Sequence, residues 1–297
     1  MQDEPVTTLT RLGPVEYVDW GQGPVVLIVH GSPGGYDHAV AMSRFLVEAG
    51  FRALAVARPG YQGTPLTDET SSFDQQAQVL VALLDALDIE KVGLFAWSGG
   101  GPVAYRFAVG FRERTNALVV FAGISHALPC DTPLVNKLVS RTVVGNALMN
   151  AVVDYAPEVI VSGTLASVGE LSKERSRQQV AEIMADPQKL DFVLAVARAA
   201  SERGDRKLGT ENDYAAFETF ASLDLDSITT PTLLVHGTVD TEVPIGHSHL
   251  AADQIEDSEL LLLEQGTHLA LYIHEDSREA QAYVVDFFRA HATSTIS

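Results

Sequence analysis

Short unbroken apolar runs alternate with longer stretches of helical periodicity along most of this chain. Val25–Val29 is apolar at every position, as expected of a strand covered on both faces. Similar runs at residues 52–57, 91–95, 118–121, 231–237 and 260–263 read as further strands. Between them lie helical stretches at about 39–49, 73–87, 247–254 and 277–290, and one after residue 100 in which Val103, Phe107 and Phe111 fall one turn apart. Ahead of the first run, residues 9–20 form two extended pieces broken at Gly13-Pro14, and Gly21-Gln22-Gly23-Pro24 is a turn, which together predict an initial hairpin. Strand–helix alternation of this kind predicts an α/β fold: a doubly wound, mostly parallel sheet with right-handed crossovers.

The alternation lapses between Ser125 and Leu225. There the pattern is helical throughout, with helices expected at 132–152, 173–185, 188–200 and 214–220, the last capped by Asn212-Asp213. The chain is therefore expected to divide into a sheet-centred core, residues 1–124 and 226–297, and an all-helical insertion at 125–225.

The most informative stretch is Leu94-Phe95-Ala96-Trp97-Ser98-Gly99-Gly100-Gly101. A strand that feeds straight into a helix through one serine must bend sharply. The serine is forced toward a sparsely populated backbone region, and its neighbours two before and two after must be small. The bend lifts the hydroxyl clear of the sheet, next to the free N–H groups of a helix N-terminus. This is the small-x-Ser-x-small form of a nucleophile elbow, with Ala96 in place of the first glycine. A phosphate-binding P-loop is excluded because no Lys-Ser/Thr follows, and a dinucleotide fingerprint needs spaced glycines where Gly99-Gly100-Gly101 are contiguous.

A serine nucleophile needs a base and an acid to orient it, and open parallel sheets gather such groups at the carboxyl ends of strands. The strand ending near His236 runs into Gly237-Thr238-Val239-Asp240, and the strand at 260–263 runs into Glu264-Gln265-Gly266-Thr267-His268. Ser98, Asp240 and His268 follow the order nucleophile, acid, histidine. Rivals are Glu242 and Glu264 for the acid and His236 and His274 for the base; their placement along the chain fits less well. The loop His30-Gly31-Ser32-Pro33-Gly34-Gly35 follows the first long strand. Pro33 has no N–H, so the oxyanion hole is assigned to the backbone amides of Ser32 and Gly99, with a side-chain role for Ser32 a weaker alternative.

Together, His30-Gly-Ser-Pro-Gly-Gly35, Arg58-Pro-Gly-Tyr61, Ala96-Trp-Ser-Gly-Gly100, His236-Gly-Thr-Val-Asp240 and Gly266-Thr-His268 resemble the α/β-hydrolase superfamily. The resemblance implies that fold, serine-hydrolase chemistry on Ser98, Asp240 and His268, and a helical cap at the insertion. The family's loop often begins Asp-x-Pro-Gly; here Ala57 takes the place of the Asp, and Arg58 replaces nothing essential. The expected activity is hydrolysis of a small carboxylic ester or related acyl compound through an acyl-serine intermediate, without metal or organic cofactor. Alternatives on the same triad are a proline-type iminopeptidase gripping an amino terminus with acids such as Glu170, Glu174 or Glu211, a carbon–carbon bond hydrolase and a cofactor-free haloperoxidase. Outside enzymes, the alternative is an inactive ligand-binding protein. A nucleophilic Asp is what dehalogenases and epoxide hydrolases of this superfamily use, and Ser98 stands there instead.

Composition narrows the partners. The chain has 297 residues, 46% hydrophobic and 20% charged, with a net charge of −19, so it reads as globular and is expected to repel nucleic acid and anionic membranes. The expected partner is a small acyl substrate, and a homodimer is compatible with the sequence. Cys130 is the sole cysteine, and Met-Gln-Asp-Glu-Pro has neither the basic nor the apolar stretch of a secretory signal; both fit a cytoplasmic protein. Leu134, Leu138, Leu148 and Val152 are candidates for an apolar pocket lining under the cap.

Overall fold

The computed structural model describes residues 4–129, 156–199 and 204–292. Cys130, the helix expected at 132–152 and its four proposed lining residues lie outside the described residues.

The chain builds one eight-stranded sheet: β1 (Val6–Thr10), β2 (Gly13–Gly21), β3 (Val25–Val29), β4 (Arg52–Val56), β5 (Val92–Trp97), β6 (Thr115–Phe121), β7 (Thr232–Gly237) and β8 (Ser258–Leu263). Their order is β1-β2-β4-β3-β5-β6-β7-β8. β2 is antiparallel to β1 and β4, and the other pairings are parallel. The core helices are α1 (Tyr36–Glu48), α2 (Phe73–Ala86) and α3 (Gly101–Gly110). Between β6 and β7 come α4 (Pro157–Val168), α5 (Lys173–Ala185), α6 (Pro187–Ala199) and α7 (Lys207–Thr219), and no strand among the described residues. After β7 follow α8 (Gly246–Gln254), α9 (Ala270–Ile273) and α10 (Ser277–His291).

The period-two geometry of strands divides the side chains between two cores. Val26, Ile28, Phe95, Trp97, Val119 and Phe121 pack with α1 and α10 through Met42, Leu46, Val284 and Phe288. Leu27, Val29, Leu94, Ala96, Leu118 and Val120 pack with α2 and α3 through Leu80, Leu84, Val103 and Phe107. Both faces are covered, which is why these strands read as solid apolar runs. α2 starts on a capping box in which the Ser72 hydroxyl accepts from Gln75 N and the Gln75 side chain accepts from Ser72 N.

Two boundaries differ from the sequence expectation within the insert. α4 is an additional helix, and α7 begins at Lys207, so Asn212-Asp213 lies inside the helix instead of capping it. The reason is tertiary: Asp213 is fully buried against an arginine of the core, and no cap at that point is needed.

The connection from β3 leads outward through α1 to β4, and the chain then returns through α2 to β5 on the other side of β3. The carboxyl ends of β3 and β5 thus meet at the point where strand order reverses, the crevice in which open α/β sheets place their sites.

Candidate active site

Ser98 stands at the end of β5, where a short 3-10 turn, Ser98–Gly100, leads into α3. Its φ is +55°, a left-handed conformation that costs a non-glycine residue roughly 1–3 kcal/mol and persists only where the surroundings enforce it. Here they do. A Cβ at Gly100 would lie 2.6 Å from Val29 O and 2.7 Å from His30 O, so the turn passes directly over the end of β3. Ile124 N donates to Ser98 O at 3.2 Å from the other side. The expected elbow is present, with a half-buried serine at its apex.

Asp240 and His268 meet as the sequence order implies. His268 Nδ1 lies 2.7 Å from Asp240 Oδ2, which assigns the proton to Nδ1 and leaves Nε2 as the basic atom. Asp240 Oδ1 accepts the amides of Glu242 (2.9 Å) and Val243 (3.0 Å). His236 Nε2 stands 3.2 Å from Asp240 Oδ2 and 2.9 Å from Val243 O, and its Nδ1 is 2.7 Å from Ser248 Oγ. So His236, set aside as a base because it lies within its strand, supports the acid from behind. Burial alone would raise the Asp240 pKa, but the charge on His268 and the hydrogen bonds from His236 and His268 pull it down to about 2. Burial also disfavours the His268 cation, yet Asp240, with Glu242 behind it, lifts the imidazole above its ordinary value.

The His268 ring lies 5.4 Å from that of Trp97, the residue before Ser98, and His268 N donates to Val168 O of α4 at 2.9 Å. The Ser98 hydroxyl itself makes no hydrogen bond among the described residues, to His268 or to any other group. His38 of α1 also packs edge-on against Trp97, at 4.6 Å. Both its ring nitrogens are buried without a partner among the described residues, and burial holds its pKa down at about 4, in the neutral form. The rivals have other duties: His274 Nε2 bonds Glu264 O at 2.9 Å, and the Glu242 and Glu264 side chains are exposed.

The loop after β3 runs beside the serine. A Cβ at Gly31 would lie 3.1 Å from Ser98 Cβ, and one at Gly99 would lie 2.5 Å from Ser32 Oγ. Ser32 and Gly99, the two expected oxyanion donors, are therefore adjacent. The Ser32 hydroxyl is already committed: it donates to Asp213 Oδ2 and accepts from Arg58 Nη2 (2.8 Å). That removes its side chain from the weaker role considered for it.

Arg58 is where the sequence reading fails. Far from replacing nothing essential, it is fully buried and ion-paired to Asp213 of α7, with Nη2 to Oδ2 at 2.5 Å and Nη1 to Oδ1 at 3.0 Å. Tyr61 Oη also donates to Asp213 Oδ2, at 2.7 Å. Burial by itself would lower the arginine pKa; the Asp213 charge more than offsets this. Nothing in the local pattern pairs two residues 155 positions apart, although an arginine in an otherwise apolar strand-end sequence is itself a signal that a counter-charge lies somewhere.

Comparison with known proteins bears on the family and the fold. Residues 26–284 match the alpha/beta hydrolase family. The chain belongs to that family. Among solved structures, an alpha/beta hydrolase fold protein from Nakamurella multipartita is 44% identical to this hydrolase, covers 97% of it and 99% of its own chain, and superposes with a TM-score of 0.94. An uncharacterized hydrolase, YcgS, of Bacillus subtilis is 25% identical over 294 residues, 94% of this chain and 96% of that protein. A 2-hydroxy-6-oxononadienedioate/2-hydroxy-6-oxononatrienedioate hydrolase of Escherichia coli is 31% identical over 132 residues, 43% of this hydrolase and 46% of that protein. Among the described residues, no group of three or more His, Cys, Asp or Glu is placed to hold a metal ion, and no helix is long and apolar enough to cross a membrane.

Proposed function

We propose that this hydrolase cleaves a small carboxylic ester through an acyl-Ser98 intermediate. The observation that carries the reading is the 2.7 Å pairing of His268 Nδ1 with Asp240 beside a serine held at φ +55°. With Nδ1 protonated, Nε2 is the acceptor for the Ser98 proton. The alkoxide attacks the ester carbonyl, and the carbonyl oxygen turns its developing charge toward the amides of Ser32 and Gly99. Asp240 stabilises the imidazolium that results. The imidazolium then protonates the departing alcohol, the ester C–O bond breaks, and a water deprotonated by His268 releases the acid from Ser98. The Ser98–His268 hydrogen bond closes in the complex with substrate, as such contacts often do.

Amino-terminal recognition is the weaker reading. Glu170, Glu174 and Glu211 are all exposed, and Glu211 pairs with Lys207 at 3.8 Å. The likeness to the E. coli enzyme favours one second reading, cleavage of a 2-hydroxy-6-oxo dienoate on the same three residues.

The test is a fluorophosphonate probe and p-nitrophenyl esters from acetate to octanoate, beside proline p-nitroanilide and a 2-hydroxy-6-oxo dienoate, with Ser98→Ala as control. Ester turnover and labelling that both vanish in Ser98→Ala support the proposal. Labelling with turnover of the anilide or the dienoate alone overturns the ester assignment, and absence of labelling overturns the serine nucleophile.

A further inference from the structure

We propose that Asp213, acting through Arg58, is a positioning residue for the oxyanion loop, so that a helix of the insert sets how well the transition state is held. The proposal rests on the reading of Ser98, Ser32 and Gly99 given above.

The Arg58 guanidinium is a hub for three successive residues of that loop. Nε donates to His30 O at 3.1 Å, and Nη2 donates to Gly31 O at 3.3 Å and to Ser32 Oγ at 2.8 Å. Nη1 adds Gln76 Oε1 at 3.0 Å. Residues 30–35 contain three glycines and have little stiffness of their own; these contacts supply it from outside. The hub cannot stand alone, because a guanidinium with no exposed side-chain surface needs a counter-charge. Asp213 is that charge. It also takes the Ser32 hydroxyl directly, so Ser32 is gripped by both members of the ion pair. Gly31 O and Ser32 N–H share one peptide plane, so the bond from Arg58 Nη2 to Gly31 O, together with the hold on the Ser32 side chain, fixes the direction of that N–H.

α7 is registered on the core at further points. Arg206, just ahead of it, donates to Gly34 O at 2.7 Å and pairs with Asp37 at 2.7 Å. Gly209 N donates to Gly60 O at 2.9 Å. The two ion pairs, Arg206 with Asp37 and Asp213 with Arg58, hold the helix at its start and at its middle, so sliding it would break both. Phe217 of the same helix faces Gly99: a Cβ there would lie 2.8 Å from Phe217 Cζ. Both assigned donors of the oxyanion hole are thus backed by α7. Stabilisation of an oxyanion depends on donors held within a few tenths of an ångström, and supporting residues decide whether they are.

The experiment compares the full-length wild type with Asp213→Asn, Ser32→Ala and the double variant. It measures the rate of fluorophosphonate labelling, kcat and KM for p-nitrophenyl acetate, and amide exchange of residues 31–37. In Asp213→Asn we expect labelling and kcat to fall at least ~10-fold with KM within about twofold, since only transition-state contacts are loosened. Ser32→Ala retains the N–H and the ion pair but loses the grip; it folds where Asp213→Asn fails to, and its kcat falls in the same way. The double variant falls no further than the worse single one, because both break one linkage. Exchange at 31–37 quickens in Asp213→Asn. Unchanged kcat and labelling in both single variants, a loss confined to KM, or losses that multiply would overturn the positioning role. A wild type that the probe does not label is a different failure: it removes the nucleophile itself, whereas the exchange data report the clamp without any chemistry.

Discussion

His236 Nε2 stands 3.2 Å from Asp240 Oδ2, on the carboxylate oxygen that also receives His268 Nδ1. One oxygen therefore sits between two imidazoles, both from the carboxyl-terminal side of the sheet. The acid is held by histidine on one flank and by the amides of Glu242 and Val243 on its other oxygen, so its orientation is determined before it orients anything.

The first consequence concerns pH and rate. In the proposed mechanism His268 must be neutral to accept the Ser98 proton, and Asp240 lifts its pKa above 6.5. Activity should accordingly rise with pH through a limb above 6.5. Asp240→Asn should lower kcat by on the order of 10,000-fold and move that limb to lower pH, because burial then acts on His268 without its counter-charge. A pH series of kcat/KM on both proteins checks the direction of the shift.

Stability should follow the same pair with the sign reversed between partners. Asp240 has a folded-state pKa of about 2 against 3.8, so its contribution, about 2 kcal/mol, is present above pH 4 and fades as pH falls toward 2. The His268 contribution is present below pH 6.5 and fades as pH rises through its elevated pKa. Urea unfolding of the wild type and Asp240→Asn should diverge most between pH 4 and 6.5 and converge at acid pH.

Gly99→Ala should cost both activity and stability. The added methyl would meet Ser32 Oγ at 2.5 Å and Phe217 Cζ at 2.8 Å, displacing one assigned donor against the other. Loss of one such donor typically lowers turnover ~100- to 1,000-fold. Steady-state kinetics beside a thermal melt separates the two effects.

Arg58→Met should unfold the protein more readily than substitutions at surface ion pairs such as Arg289–Asp286, both half-exposed or more. Removing one member of a buried pair leaves the other uncompensated, at roughly 3–5 kcal/mol, whereas an exposed pair contributes about 0–1 kcal/mol. Chemical denaturation of Arg58→Met and Arg289→Met makes the comparison.

His38→Leu should be neutral to stabilising in the same assay. The change exchanges two buried nitrogens that have no partner among the described residues for an apolar side chain of similar size, and an unsatisfied buried polar group costs about 1–3 kcal/mol. A marked loss of stability would overturn this reading of His38 as an unsatisfied buried group.

Much of this site was legible because its chemistry is tied to chain geometry. The strands are apolar on both faces, so their ends can be located, and Ser98, Asp240 and His268 each follow such an end. Tightly spaced small residues announced the bend at Ser98. What stayed hidden depends on partners far apart in sequence. The pattern Lys207-Leu-Gly-Thr-Glu-Asn-Asp213 is polar, and Asn-Asp resembles a helix cap; only the buried arginine of another loop makes it the middle of α7. Likewise α4, Pro-Glu-Val-Ile-Val-Ser-Gly-Thr-Leu-Ala-Ser-Val, mixes β-branched and small residues without a clear face, and it is held helical by packing.

The burial of Asp213 against Arg58 also bears on how such a protein can be recombined. Inserts on this scaffold are natural units to exchange when a new substrate range is sought. A graft that replaced residues 157–219 with a segment lacking an acid at that place would leave a cation stranded against the loop at residues 30–32, to which the oxyanion role is proposed. Insert and scaffold therefore travel as a matched set, and a swap must carry both charges or neither.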